Sequence, residues 1–426
     1  MNVIKSSKTL YIALLNISLL SIAHSINNKI LIILSLVIFC ALIIFSNKDL
    51  FLPLMLFYLP WNPILKINYN GFTFYTLIIP IIFLVFLFKR KKFEFKVILI
   101  ILLIVILTII AKLINNMEFN FSYFFIILMF VFIPYYYKNY NNIDFKKCTY
   151  YLSIGIITAC ISSQILINIP HMLNYISVDS IKQINLTRLN GFYGDANFYS
   201  AQILVAISGI LLLISKDNNN NIQNFIILIL LLFFGLQSVS KMFLITTLIM
   251  FIIWVILFLL DNKSINNKIT IIFIIIICSI IILFTGIFNK QIDYYMIRFN
   301  MVTDSNSLTT GRTEIFKYYF EYFNNNILSF ITGVGLSNVY VNNRASHNTL
   351  IQIIFQLGIL GSLFLVLWIK LSFYNIKYNE NQFNKYVIVL FIGCFISWMS
   401  LDMLMFDEFF YFILFFYTGK DYLNEL

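Results

Sequence analysis

The stretch at residues 344–361 reads RASHNTLIQIIFQLGILG, a polar turn that leads directly into an apolar run. This turn closes a polar segment that opens with Gly311-Arg312-Thr313-Glu314. An apolar run of about 20 residues is typical of a membrane-spanning helix, and ionisable groups at its boundary are costly unless they serve a function. The stretch therefore predicts a helical membrane protein with its chemistry where a polar loop meets a span.

The composition extends this prediction to the whole chain. Of the 426 residues, 61% are hydrophobic and 11% are charged, against roughly 45–50% and about 25% in soluble globular domains. The apolar runs lack the alternation of barrel strands. The predicted fold class is therefore all-α, a polytopic membrane helical bundle that forms one integral membrane domain over residues 1–426. Lys5 and Lys8 precede the first apolar run, but no small-residue cleavage site follows, so we expect this span to remain.

About 14 spans (12–14) are predicted. They lie near residues 9–25, 30–46, 49–61, 72–88, 95–111, 119–137, 149–169, 196–215, 222–239, 241–260, 268–288, 347–371, 384–401 and 404–418.

The distribution of Lys and Arg predicts the orientation. Alternate loops carry 18 of these cations on one side and 11 on the other, and Lys89-Arg90-Lys91-Lys92 lies on the richer side. Positive charge marks the cytoplasmic side, so both termini are predicted to be cytoplasmic. The excess charge of +11 lies in these short loops, which favours membrane topology over nucleic-acid binding.

Two long loops, residues 170–195 and 289–346, are both predicted to be periplasmic. Loops of this length in a compact bundle are usually functional. Residues 312–325 carry apolar side chains at helical spacing, which predicts a short amphipathic helix at the membrane surface.

The first candidate binding residues close the shorter loop and begin the next span. Arg188 can bind a phosphate through two parallel hydrogen bonds, and Asn197 follows in the same polar stretch. Asp195 is either part of the site or simply the N-cap of the helix from Ala196. Lys241, after Ser240, either meets an anionic substrate or extends to the lipid headgroups.

The second group lies in the longer loop and at the start of the next span. Arg312 is predicted to hold a diphosphate and Glu314 to orient it or accept a proton, with Arg344 nearby in the chain. The neutral imidazole of His347, followed by Asn348, suits a general base acting on a hydroxyl group. The turn Gly333-Val334-Gly335 is expected to bring backbone N–H groups near the ligand.

A third group, Asp402, Asp407 and Glu408, has two interpretations. It could supply a base or a divalent-metal site, but a helix cap or a topological role is favoured. The five cysteines form no CxxC pair, and no His-rich metal pattern, nucleotide P-loop or GxSxG elbow occurs. No metal and no cofactor are expected, and an ATP-driven pump is disfavoured.

The order of these motifs over residues 188–361 resembles the bacterial O-antigen polymerase and ligase superfamily. The pattern consists of Arg-x-x-Gly-x-x-x-Asp-x-Asn, a Ser-cation pair, Gly-Arg, Gly-x-Gly, and His-Asn followed by Gly-x-x-Gly. The superfamily usually has Arg where this chain has Lys241, which keeps the charge but loses the planar fork.

The resemblance implies a many-spanning glycosyltransferase of lipopolysaccharide or other polysaccharide biosynthesis, independent of metals and nucleotides. Its donor and acceptor would be glycans linked to undecaprenyl pyrophosphate. Its partners would include the membrane lipids, a chain-length regulator and a flippase. It also implies that Arg188, Lys241 and Arg312 hold the pyrophosphate and that His347 activates or positions the acceptor hydroxyl.

Three functions stay open, in order of preference. The first is a polymerase of O-antigen or capsule repeat units, which the richness in Phe and Tyr favours. The second is an O-antigen ligase that transfers the glycan to the lipid A core. The third is a flippase for lipid-linked oligosaccharides, although the chain lacks the internal repeats and paired broken spans of many transporters.

Overall fold

The structure is a computed structural model that describes most of the chain. The described residues are 2–68, 71–87, 94–119, 122–140, 143–176, 179–181, 186–216, 221–261, 286, 289–300, 311–337, 339–374 and 384–425.

Helices account for nearly all of the regular structure in these residues. In chain order they are α1 (Asn2–Ser25), α2 (Lys29–Phe45), α3 (Phe51–Tyr58), α4 (Phe74–Leu87), α5 (Phe95–Ile114), α6 (Ser122–Asn139), α7 (Phe145–Leu166), α8 (Ala196–Lys216), α9 (Asn221–Gln237), α10 (Lys241–Leu259), α11 (Asn289–Asn300), α12 (Arg312–Asn325), α13 (Ile327–Thr332), α14 (Thr349–Phe373), α15 (Val387–Phe395) and α16 (Asp407–Glu425). Short 3₁₀ turns cover Lys48–Leu50, Leu59–Ile64, Pro170–Asn174 and Ile396–Ser400. Two three-residue strands, β1 (Asp179–Ile181) and β2 (Leu186–Arg188), pair antiparallel with Asp179 opposite Arg188.

The predicted fold class, an all-α polytopic membrane protein, is confirmed. Five helices of the described chain are long and apolar enough to cross a membrane: α5, α7, α8, α10 and α14. Large apolar side chains cover the outward face of α5 at Leu99, Leu102 and Ile106, and α10 is similar. Water-soluble proteins rarely expose such continuous apolar faces, whereas lipid tails solvate them.

Helix α8 lies at the centre of the bundle. Almost all of its residues are buried, and it packs against α7, α9, α10 and α15. Helix α3 is buried along its whole length and packs against α7, where a Cβ on Gly155 would lie 2.2 Å from the carbonyl oxygen of Phe57. The two backbones therefore touch at a position that only glycine permits.

One predicted span takes a different form. Residues 49–61 contain the eight-residue α3 between two 3₁₀ turns. Together with these turns it forms one helical run, Lys48 to Ile64, whose ends lie on opposite faces: Lys48 binds Tyr140 on the Lys-rich side, and Asn62 binds Asp407 at the start of α16. The run therefore connects the two faces, but its apolar side chains are buried inside the bundle rather than in lipid. The predicted span at 268–288 lies outside the described residues.

Polar contacts between helix ends fall into two sets. One set joins cations from the Lys-rich side: Lys48 to Tyr140, Lys138 to Glu94, and Lys385 to Asp261. The other set lies where α9 ends and where α8, α10, α14 and α16 begin, and it joins these helix ends to the loops between them. We call the surface formed by these helix ends and loops the loop face. The separation follows the predicted alternation of the loops. Which face is periplasmic stays a prediction.

Helix α14 is interrupted on the loop-face side of its middle. Gly358 has φ 66° and ψ −179°, which no helical residue adopts. The freed carbonyls of Phe355 and Gln356 accept hydrogen bonds from the N–H groups of Val334 and Gly335, at 3.0 and 2.9 Å. A non-helical segment is thus hydrogen-bonded to the break, which satisfies backbone groups that would otherwise be unpaired within the membrane protein.

Glycine at position 333 should be essential for this contact. Its φ is 78°, and a Cβ there would lie 2.3 Å from the carbonyl oxygen of Gln356. We expect Gly333→Ala to lower the free energy of unfolding by at least about 1–3 kcal/mol, the usual cost of such backbone strain. The measurement is the thermal unfolding midpoint of the detergent-purified protein.

Gly194→Ala is the matched control, because no atom lies within 4 Å of its added Cβ. Equal unfolding midpoints for the two variants would show that the contact at the break is not tight.

Candidate functional site

The first group of predicted residues comes together at the start of α10. The Nε of Arg188 donates to the carbonyl oxygen of Ser238 at 3.1 Å, and the hydroxyl of Ser240 donates to the Oδ1 of Asn197 at 2.7 Å. These bonds join the end of β2 and the start of α8 to the turn between α9 and α10. Lys241 is the first residue of α10, three positions after the carbonyl that holds Arg188. Two cationic residues are therefore associated with one turn, since Arg188 binds it and Lys241 follows it in the chain.

The turn itself is held tightly. Val239 is buried with φ 51°, a left-handed conformation that is strained for a β-branched residue. Ser240 caps α10 by accepting from the N–H of Phe243 at 3.3 Å, and its carbonyl accepts from the hydroxyl of Tyr295 at 3.2 Å. The N-terminal end of a helix carries partial positive charge, which adds to that of Arg188 and Lys241. The turn is suited to binding an anion.

Of the two roles predicted for Asp195, the structure shows the helix cap. Its Oδ1 accepts from the N–H of Asn197 at 2.7 Å, which makes it the N-cap of α8. Gly191 has φ 58°, and a Cβ there would lie 2.8 Å from the ring of Tyr199. Gly194 has open space beside it and adopts no left-handed conformation, so only the first of these two glycines is needed for the turn.

The second group lies along α12, which spans the same residues as the predicted amphipathic helix. Arg312 is its first residue, after Gly311 with φ 84°. The carboxylate of Glu314 accepts from the hydroxyl of Tyr318 at 2.5 Å, and the guanidinium of Arg344 lies 5.9 Å from the centre of that ring. The hydrogen bond to Glu314 and its negative charge raise the pKa of Tyr318. Glu314 is thus engaged by a neighbouring tyrosine one turn along its own helix.

His347 lies in a loop that is held from the other end of the chain. Its φ is 50°, and its backbone N–H donates to the Oδ2 of Asp402 at 3.0 Å. The Oδ1 of the same carboxylate accepts from the N–H of Asn348 at 3.2 Å and from the hydroxyl of Ser346. Asn348 in turn caps α14 by accepting from the N–H groups of Leu350 and Ile351. Asp402 therefore fixes the backbone that carries the imidazole, which is itself half-buried.

The turn Gly333-Val334-Gly335 does not take the predicted role. The N–H groups of Val334 and Gly335 are used in the contact with the break in α14, so they are not free to bind a ligand. The prediction was wrong because backbone N–H groups in a buried segment must be paired, and the interrupted helix supplies the partners. The glycines serve close packing of two backbones.

Asp407 and Glu408 lie apart from Asp402, at the edge of a cavity of about 360 Å³. The Oδ2 of Asp407 accepts from Asn62 at 3.2 Å and from Thr76 at 3.1 Å. The Oε1 of Glu408 lies 2.6 Å from the hydroxyl of Tyr193 and 3.1 Å from the Nε2 of Gln202. Within the described residues, no group of three His, Cys, Asp or Glu side chains is placed to hold a metal ion.

Several of these partners could not be found from the sequence. Asn62, Thr76 and Gln202 are isolated polar residues in apolar surroundings, and such residues usually satisfy local hydrogen bonds. Tyr193 lies inside the Arg188 motif, but nothing in the motif marks its side chain. The structure joins Arg188, Asn197 and Lys241 in one group and Glu314 with Arg344 in another. The convergence of all the predicted cations on one pocket stays a prediction.

Comparison with known proteins identifies one family. The sequence pattern described as O-antigen ligase matches residues 224–366. No curated protein and no solved structure shows a significant match to this chain. The predicted resemblance to the O-antigen polymerase and ligase superfamily is confirmed by this match. The matched segment runs from α9 into α14, so it includes Lys241, Arg312 and His347 but leaves out Arg188 and Asp195.

The role of Asp402 can be tested without an activity assay. We expect Asp402→Ala to reduce the protection of backbone amides at residues 346–351 against hydrogen exchange by about tenfold or more, since hydrogen bonds to a charged group contribute about 1.5–3 kcal/mol. The measurement is deuterium uptake by mass spectrometry in detergent.

Asp144→Ala is the control, because Asp144 caps α7 through the N–H of Lys147 on the opposite face. It should affect only the start of α7. Unchanged uptake at 346–351 in Asp402→Ala would show that the loop is held by other contacts.

Proposed function

Because residues 224–366 carry the pattern of the O-antigen ligase family, we propose that this multi-pass membrane protein is a glycosyltransferase that polymerises lipid-linked repeat units. The donor and acceptor are oligosaccharides on undecaprenyl pyrophosphate, and the product is O-antigen or capsule polysaccharide. The reaction takes place on the periplasmic face of the inner membrane, which would be the loop face.

The observation that carries the proposal is the position of Arg188 and Lys241 at the turn before α10. The donor's leaving group is a pyrophosphate, whose charge must be neutralised as the glycosidic bond breaks. Cations and a helix N-terminus directed at this group would supply preorganised positive charge, and each such contact is worth on the order of 10²–10³ in rate. Arg312 and Arg344 are proposed to complete this site.

His347 is proposed to act on the acceptor. A neutral imidazole can take the proton from the attacking hydroxyl, which contributes about 10²–10⁴ in rate. The Asp402 carboxylate accepts a hydrogen bond from the backbone N–H of His347 and not from its ring, so it holds the residue in place and leaves the imidazole available. The bond to the lipid carrier is already activated, so the transfer needs neither a nucleotide nor a metal.

Ligation is the second candidate, because the matched pattern is described as O-antigen ligase. The two reactions share the lipid-linked donor and the same leaving group. They differ in the acceptor, which is a second lipid-linked glycan for a polymerase and the lipid A core for a ligase. A polymerase would also work beside a flippase and a chain-length regulator.

A gel of surface polysaccharide from a deletion strain distinguishes these reactions. Complementation with the wild-type gene should restore a ladder of long chains. We expect Arg188→Ala, Lys241→Ala and His347→Ala each to leave only single repeat units attached to surface lipid, because polymerisation would fall by about 10²–10³ or more.

Lys317→Ala is the matched control among the cations. Lys317 lies on α12, is largely exposed, and is 4.0 Å from its nearest carboxylate oxygen, on Glu321. It should restore the full ladder. Long chains that accumulate unattached in the deletion strain would identify a ligase, and complete loss of surface glycan would identify a flippase; either result would contradict the polymerase proposal.

A further inference from the structure

The cavity beside Asp407 and Glu408 is lined by residues that follow two parts of the candidate site in the chain. One wall is formed by Phe192, Tyr193 and Gly194, which follow Arg188. Another is formed by residues 405–408 and Phe410, which follow Asp402, the residue that holds the His347 loop. At about 360 Å³ it is within the size range of small-molecule pockets.

The polar edge of this cavity offers hydrogen-bond acceptors. The donors around it are directed at the two carboxyl groups: Asn62 and Thr76 bind Asp407, and Gln202 and Tyr193 bind Glu408. Asn62 lines the cavity as well, but its side-chain oxygen is buried away from the cavity space, so the acceptors at this edge are the carboxyl groups of Asp407 and Glu408.

The remaining walls are apolar and largely aromatic. They include Phe72, Phe125, Met129, Phe406 and Phe410. Binding sites for small organic ligands combine such walls with a few polar groups that set the orientation. A hydroxyl-rich ring fits this combination, because it has donors at its edge and C–H groups on its faces.

The same edge disfavours phosphate. A pyrophosphate presents oxygen acceptors, and the cavity edge presents further acceptors from Asp407 and Glu408. The anion-binding groups Arg188 and Lys241 instead lie at the turn before α10, which is joined to the start of α8 by Asn197. The two regions therefore differ in the chemistry that they recognise.

We propose that this cavity binds one sugar residue of the lipid-linked glycan through its hydroxyl or amino donors, with Asp407 and Glu408 as the specificity-determining acceptors. The proposal rests on the proposed function and adds a binding site to it. A sugar that carries a carboxylate would be excluded, because it would place an acceptor against these acceptors. The rival occupant, a polyprenyl tail against the aromatic walls, would offer no donor to either carboxyl group.

Binding to the purified full-length protein in nanodiscs tests the proposal. The probes are the repeat-unit oligosaccharide released by mild acid from the host's lipid-linked intermediate, inorganic pyrophosphate, and undecaprenyl phosphate. Trp61 is buried and its ring lies 5.2 Å from that of Phe192, a wall of the cavity, so its fluorescence reports on occupancy. Calorimetry gives the dissociation constants.

Gly194→Leu is the decisive variant. Gly194 lines the cavity with no atom within 4 Å of an added Cβ, so a leucine can fill the space without disturbing the fold. We expect it to weaken oligosaccharide binding at least tenfold and to leave pyrophosphate binding unchanged. Glu408→Gln should weaken oligosaccharide binding about tenfold, the loss of one hydrogen bond to a charged group.

Asp421→Asn is the control. It removes a carboxylate at the far end of α16, where Asp421 accepts a hydrogen bond from Tyr137. It should bind the oligosaccharide like the wild type. Oligosaccharide affinity that is unchanged in Gly194→Leu would overturn the proposal, and so would a loss of undecaprenyl phosphate affinity instead.

The polysaccharide gel of the deletion strain tests the proposed function independently of the sugar site. If wild-type complementation builds no ladder but the cavity variants still lose oligosaccharide binding, the polymerase assignment fails and the sugar site stands. If the ladder forms normally in Gly194→Leu and binding is unchanged, the sugar site alone fails.

Discussion

The carboxylate of Asp402 holds the loop face together. It accepts hydrogen bonds from two backbone N–H groups and one hydroxyl in residues 346–348, 54 to 56 positions earlier in the chain. The hydroxyl of Thr349 donates to the carbonyl of Leu401, and the N–H of Leu404 donates to Gln352, so the two segments are joined along their length. The position of His347 and that of the cavity beside Asp407 are therefore set by one interaction network.

Helix caps also join segments at the loop face. A helix in a membrane protein begins with N–H groups that have no partner within the helix, and residues at the loop face supply the partners. Ser240 and Asn348 each cap a helix, and Ser240 also binds Asn197. The same side chains thus accept hydrogen bonds from the N–H groups at the helix ends and join separate loops. One residue can therefore be both a helix cap and part of the candidate site.

The architecture could be predicted from the sequence because it follows from hydropathy alone. Long apolar runs became helices, and the spacing at residues 312–325 became α12 with those bounds. Position within the bundle could not be predicted. The apolar run at 49–61 gave no sign that it is buried in protein rather than in lipid, since both environments select the same side chains.

The site was predictable where charge identifies it and not elsewhere. Arg188, Lys241 and His347 stand out because cations and imidazoles are rare in this chain. Asp402 stands out as a charged residue but its partners do not, because a backbone N–H that donates to a distant carboxylate leaves no mark on its own sequence. The glycines at 333–335 were given the wrong role for a related reason. The backbone at these glycines bonds to a break in a helix, and a single glycine in an apolar run does not predict such a break.

The stretch between Gly335 and Ser346 is tied at both ends. At one end Gly335 donates to Gln356 at the interruption of α14, and the side chain of Gln356 donates to the carbonyl of Ser337. At the other end Ser346 is bound to Asp402, beside the start of the same helix. Both ends of the stretch are thus fixed against one half of α14. Residues added to or removed from it would strain these contacts or shift His347 relative to α14, so chain length here is as constrained as residue type.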